Sequence, residues 1–167
     1  MTYMKTPHVS SHSHHLLNRY VAYLPGCIFV ALLVGFLGFL VAPYPIAENG
    51  LFFEVLGVVF LLGAPFFVLW AQRVRRHVYF THHPYVTVDG AFLTHGPYAY
   101  SRHPTHLGLF VLSFGFAFVL NSLVMVGVLV CALVIFHTWV IPYEEKLLEK
   151  HLGRSYKNYQ KKVRTWL

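Results

Sequence analysis

The chain predicts an all-helical bundle embedded in a membrane, and three observations carry that prediction. Of its 167 residues, 56% are hydrophobic and only 11% are charged, against about a quarter charged in an ordinary soluble domain. The apolar residues form long runs, and a membrane span needs roughly 20 mostly apolar residues. All 13 lysines and arginines sit at the N-terminus, in one middle loop or after Ile141, and the short segments 43–50 and 121–122 hold none. Positive charge gathered on one side orients membrane helices. The expectation is four transmembrane helices and a cytoplasmic amphipathic C-terminal helical tail, with both termini and the middle loop cytoplasmic.

Residues 1–19 form a polar segment with His8, His12, His14 and His15. No cysteine or fixed spacing accompanies these histidines, so no metal is expected. The segment is long and polar and no small-residue cleavage site follows, so it does not read as a signal peptide. Residues 20–167 read as one membrane domain. Its first span, 20–42, closes at Pro43-Tyr-Pro45. The second, 51–72, carries Glu54 near one end, read as structural, and Pro65 inside, which predicts a kink. Cys27 and Cys131 lie inside apolar runs and read as small core residues.

The loop 73–104 is the one long polar segment between spans. It contains His83-Pro84, Asp89-Gly90, Gly96-Pro97 and His103-Pro104, and a β-like patch, Tyr85-Val-Thr-Val88. Loops of that length are usually functional or disordered; its aromatic content argues for order. The apolar stretch Leu107–Ile141 is too long for one span. Asn121-Ser122 is the polar pair near its middle, which predicts a tight hairpin between spans 105–120 and 123–141. In the tail, 142–167, Pro142 is expected to end or kink the fourth span. Glu144 and Glu145 then open an amphipathic helix with Leu147, Leu148 and Leu152 on one face. Gly153 breaks it, and Tyr156, Tyr159, Val163 and Trp166 line a second one opposite Lys and Arg. Such a basic, aromatic helix suits a membrane surface. The net charge of +7 therefore reads as topology signal beside anionic headgroups, and nucleic acid is not an expected partner.

Several residues admit two readings. Arg102 is either a headgroup anchor or a functional cation. His103-Pro104 either starts a helix or belongs to a site. Glu144 and Glu145 are either a solvated helix start or ligand-binding. His137, inside the fourth span, is either a core histidine or a site residue. There is no G-x-G-x-x-G after a strand and no P-loop, and one intramembrane histidine does not make a bis-histidine haem bundle.

Together, GPYAYSRHPTHLG at Gly96–Gly108, a membrane hairpin, and EEKLLEKHLGRSYKNYQKKV at Glu144–Val163 resemble the isoprenylcysteine carboxyl methyltransferases and the related phospholipid N-methyltransferases. The resemblance covers about Asp89 to Arg164. It implies S-adenosylmethionine as cofactor, bound at the cytoplasmic face without a Rossmann domain. By position it implies cofactor contacts from Gly90, Ala91, Phe92, Leu93, Tyr98, His103, Pro104, Thr105, His106 and Glu144, with His83 aligning less securely and Glu145 completing the acidic pair. Three positions depart from the family pattern. His106 replaces a Tyr, Leu152 replaces a Phe, and Val140 stands where the isoprenylcysteine enzymes hold the substrate carboxylate with an Arg.

The implied function is an S-adenosylmethionine-dependent membrane methyltransferase for a lipophilic acceptor from the bilayer, of the isoprenylcysteine carboxyl O-methyltransferase type. Phospholipid amine N-methylation and thiol S-methylation are the alternatives, and a non-catalytic membrane module is the rival from another class. An amine or thiol must lose a proton, which needs a base; His137, seven residues before Glu144, and His106 are the candidates. Arg102 is the remaining cation for a carboxylate. The catalytic candidates are thus Arg102, His106, His137 and Glu145. With Val140 in place of Arg, the expectation is an acceptor other than the prenylcysteine carboxylate.

Overall fold

The computed structural model describes residues 11–79 and 96–167. Within them the regular elements are all helical: α1 (Ser11–Val41), α2 (Leu51–Tyr79), a 3₁₀ turn (Gly96–Ala99), α3 (Pro104–Val119), α4 (Leu123–Ile135), a π-helical turn (Phe136–Val140), α5 (Ile141–Leu152) and α6 (Arg154–Gln160). Their outer surface is apolar, with Phe66 75% and Phe52 71% exposed. A surface of that kind is at home in lipid. Cys27 and Cys131, expected in the core, are both exposed on this surface.

Two stretches, Leu51–Val74 and Leu123–Lys150, are long and apolar enough to cross a membrane, while Gly26–Val41 and Pro104–Val119 are shorter apolar helices. The α3 helix has 16 residues, which reach about 24 Å, less than the roughly 30 Å hydrocarbon core.

One element boundary differs from expectation. The α2 helix runs to Tyr79, so Arg73, Arg75 and Arg76 belong to its last turns and not to a loop beginning at residue 73. Of the two outcomes expected for the fourth apolar helix at Pro142, an end or a kink, the helix does not end there. It passes from α4 through the π turn into α5 as one helix. Proline has no N–H, and its ring would crowd the carbonyl four residues back, that of Thr138. The widened turn, Phe136–Val140, lies just before Pro142 and relieves that conflict locally.

Packing centres on α3, which lies along α2 and also touches α1 and α4, while α4 packs on α1. The α2–α3 approach depends on two glycines. A methyl on Gly57 would stand 2.7 Å from the Gly115 carbonyl oxygen and 2.7 Å from the Val119 nitrogen. Small residues let membrane helices come this close. At the far end, α3 and α4 turn through Asn121, whose φ is +45°, a value asparagine tolerates better than most residues. Its Oδ1 accepts from the Ile46 nitrogen (3.0 Å) and its Nδ2 donates to the Ala47 oxygen (2.8 Å), so one side chain ties the α1–α2 loop to the hairpin. Ser122 caps α4 by accepting from the Met125 nitrogen.

At the charged end, Ala71 of α2, Tyr98, Leu148, Tyr156, Tyr159 and Val163 form one buried cluster. Gly153, with φ +55°, turns the chain between α5 and α6 so that α6 folds its tyrosine face back onto that cluster. This apolar floor sets the position of the polar groups above it.

Candidate functional site

The segment Gly96–His103 is fixed in place from three sides. Gly96 has φ +60°, a conformation glycine adopts at little cost, and it starts the 3₁₀ turn that buries Pro97 and Tyr98. The Tyr159 hydroxyl donates to the Tyr98 carbonyl at 2.7 Å. Pro104 then opens α3 at its first position, with His103 as the preceding residue.

His103 is the centre of the site. Its ring is 3% exposed and stands between two carboxylates: Nδ1 is 3.4 Å from Glu144 Oε2 and Nε2 is 3.2 Å from Glu145 Oε1. Burial by itself lowers the pKa of this histidine, but hydrogen bonds and charge from Glu144 and Glu145 outweigh it and push the value up to about 9. The ring is therefore an imidazolium at neutral pH, donating from both nitrogens. Glu144 is wholly buried, and its Oε2 also lies 4.0 Å from His106 Nδ1. Glu145 is held by Arg102 Nε at 2.8 Å and accepts from Gln160 Nε2 at 3.1 Å. The Thr105 hydroxyl oxygen is buried and has no hydrogen-bond partner among the described residues.

Arg102 is almost fully committed to the C-terminal segment. Its NH1 donates to the carbonyls of Gln160 and Val163, each at 3.1 Å, and NH2 donates to Thr165 Oγ1 at 2.6 Å. The Arg102 nitrogen bonds the Arg164 carbonyl, and Ser101 Oγ donates to the Thr165 carbonyl. A guanidinium over the C-terminal carbonyls of α6 is also favoured by the helix dipole. Ser101, Gln160 and Thr165 were not legible as site residues, because their contacts join segments 58–64 residues apart.

The structure thus brings together Tyr98, Arg102, His103, Pro104, Thr105, His106, Glu144 and Glu145. His137 is not among them. It is exposed on the outer side of the π turn, and its Nδ1 accepts from Trp166 Nε1 at 3.1 Å. An indole nitrogen only donates, so the ring proton lies on Nε2, where a proton-accepting role would need a lone pair. Val140 packs among Ile28, Phe110, Phe136 and Trp166. Gly90, Ala91, Phe92, Leu93, His83 and the Tyr85–Val88 patch lie outside the described residues.

His103, His106 and Glu144 are close enough to hold a metal ion, their ligand atoms lying within 4.8 Å of one another. A metal there would have to displace the His103 protons that Glu144 and Glu145 now hold. The donor set is better matched to an organic ligand with both charged and hydroxyl groups. Buried carboxylates can accept from an amine or ribose hydroxyls, and the unpartnered Thr105 hydroxyl can exchange a hydrogen bond with it.

Similarity to known proteins identifies the family. The family model described as "Phospholipid methyltransferase" matches residues 28–155, more than half of the chain. The chain is similar to the protein-S-isoprenylcysteine O-methyltransferase of Schizosaccharomyces pombe, 36% identical over 75 residues, which is 45% of this chain and 32% of that protein. It is also similar to the protein of that name from Tribolium castaneum, 34% identical over 77 residues, 46% of this chain and 27% of that protein. The aligned stretches thus cover about a third or less of those relatives. No solved structure matches the chain.

Proposed function

The chain belongs to the phospholipid methyltransferase family, and from that premise we propose that this membrane methyltransferase uses S-adenosylmethionine to methylate a lipophilic acceptor drawn from the bilayer. The observation that carries the proposal is the meeting of two distant motifs. The R-H-P-T-H sequence and the Glu144–Glu145 pair, about 40 residues apart, close into one buried cluster around His103. The full reading has four spans, with both termini and the cluster on the cytoplasmic side.

When bound, the cofactor supplies a methyl group on a sulfonium, which the acceptor's lone pair takes in-line. The chain's own residues do the rest. Glu144 accepts from the cofactor's amino or hydroxyl groups, and His103 fixes the Glu144 carboxylate. Thr105 and His106 line the first turn of α3 beside it, with Tyr98 below. Glu145 and Arg102 act one step back: Glu145 orients His103, and Arg102 closes the tail over the loop. The work is alignment and exclusion of water. By the family resemblance Gly90–Leu93 would contact the cofactor as well.

The relatives' name points to a prenylated cysteine carboxylate as acceptor. Val140 in place of the family's Arg favours a departure from that acceptor, with a phospholipid amine or a thiol as the second reading. Radiolabelled methyl transfer by the purified chain to a farnesylated cysteine analogue, a phosphatidylethanolamine and a hydrophobic thiol tests both readings. Label should enter at least one of them and disappear in Glu144→Gln. Transfer to none, with cofactor product still bound, would favour a non-catalytic module.

A further inference from the structure

We propose that His137 and Trp166 form a second polar site, at the lipid-facing rim, where the His137 Nε2–H takes a carboxylate or phosphate oxygen of a membrane-resident amphiphile. The inference rests on the methyltransferase reading only for its purpose, which is to hold the acceptor's headgroup. Its geometry stands apart from the His103 cluster.

The ring state comes first. Trp166 Nε1 donates to His137 Nδ1 at 3.1 Å, which places the imidazole proton on Nε2. The rings stack at a tilt of 32°, centroids 6.4 Å apart, so the indole also fixes the imidazole plane. Nε2 has no partner among the described residues, and the side chain is exposed. The pair therefore presents one oriented N–H donor outward. Using His137 as a base would mean moving that proton to Nδ1 and losing the Trp166 bond.

The depth comes second. Trp139 is 76% exposed and Tyr143 51% exposed on the same helix, and Tyr100 is 69% exposed beside Ser101. Exposed Trp and Tyr gather where headgroups meet acyl chains. An amphiphile at that depth has its tail in the hydrocarbon and its anionic oxygen at the level of His137.

The route comes third. Phe136 meets Phe110 edge to face, centroids 5.3 Å apart, and lies 5.9 Å from His106. Phe110 meets Trp166 edge to face at 6.4 Å. A continuous wall of rings thus joins the rim to the His103–Glu144 cluster. Phe136 is buried while the next residue, His137, is exposed. Trp166 is kept in place by its neighbours, because Arg164 and Thr165 are bonded to Ser101 and Arg102. A neutral N–H donor is also cheaper to bury at the acyl boundary than the Arg that Val140 replaces.

Nitrogen-15 histidine NMR on the full chain in nanodiscs tests the site. The ligand-free His137 should show the Nε2-protonated tautomer. Laurate and dodecyl phosphate are the carboxylate and phosphate probes, and dodecanol is the uncharged control. Whichever anion fits should shift the His137 Nε2 signal and bind roughly tenfold more weakly to His137→Asn, as for loss of a hydrogen bond to a charged group. His137→Gln, which keeps a donor at that distance, should recover part of the loss. Trp166→Phe keeps the ring but not the donor, and should weaken binding several-fold. An Nδ1-protonated ring, or equal affinity of both anions for wild type and His137→Asn, would overturn the proposal. S-adenosylhomocysteine titration on the same samples separates the two readings. Lost anion discrimination with intact cofactor-product binding overturns the rim site alone, and the converse overturns the methyltransferase reading alone.

Discussion

His103 keeps a proton that its burial alone would expel, because two carboxylates face it. A pKa raised from 6.5 to about 9 means that the pairing stabilises the fold fully below about pH 6.5 and loses that contribution as pH rises through about 9. The melting temperature in detergent should fall across that window, and His103→Gln should flatten the fall. Parallel profiles in the two proteins would contradict the assignment. Breaking a buried pair by removing one partner costs about 3–5 kcal/mol; Glu144→Gln also removes the charge but keeps the volume and a hydrogen-bonding group, so it perturbs the fold less than Glu144→Ala. The R-H-P-T-H and E-E sequences were expected to share a site from the family resemblance, while the residues alone left both readings of each open. What they did not disclose was the division of work, in which Glu144 faces the first turn of α3 while Glu145 turns toward Arg102 and Gln160. That follows from the rotation of α5, which no side-chain pattern fixes.

Helix existence was legible at the scale of elements, because length and hydropathy decide it, and so was the break at Gly153. The unbroken passage through Pro142 was not, since a π turn is a change of backbone register with no residue signature. The tail clasp was equally silent. Arg102 grips Gln160, Val163 and Thr165 at once, a reach that a single ammonium does not reproduce. Arg102→Lys and Arg102→Gln should therefore both speed tryptic cleavage at Lys161, Lys162 and Arg164, read by mass spectrometry, with Gln the faster. Unchanged cleavage would show that the clasp is not what orders the tail. The α2–α3 contact makes a second prediction. Gly57→Val and Gly115→Val should each cost about 1–3 kcal/mol by overpacking. Gly26→Val, where nothing lies within 4 Å, should be close to neutral. Comparable losses at all three would mean that the close approach does not limit packing.

For the whole molecule, the apolar body was legible from composition, and the order of the 13 cations along the chain was the ground for expecting one basic side. The tie between the α1–α2 loop and the hairpin through Asn121 was not, since it joins segments distant in sequence. The four-span reading predicts that a C-terminal reporter active only outside the cytoplasm stays silent; strong signal would invert the placement of the site. The central claim is that the His103–Glu144 cluster holds a methyl-donor cofactor, and calorimetric titration of S-adenosylhomocysteine tests it most directly. The folded wild-type chain should bind it saturably at micromolar concentration. Glu144→Gln should bind about 1–3 kcal/mol more weakly, the worth of a hydrogen bond to a charged group. Absence of binding to the folded wild-type chain, or equal affinity in a folded Glu144→Gln variant, would contradict it.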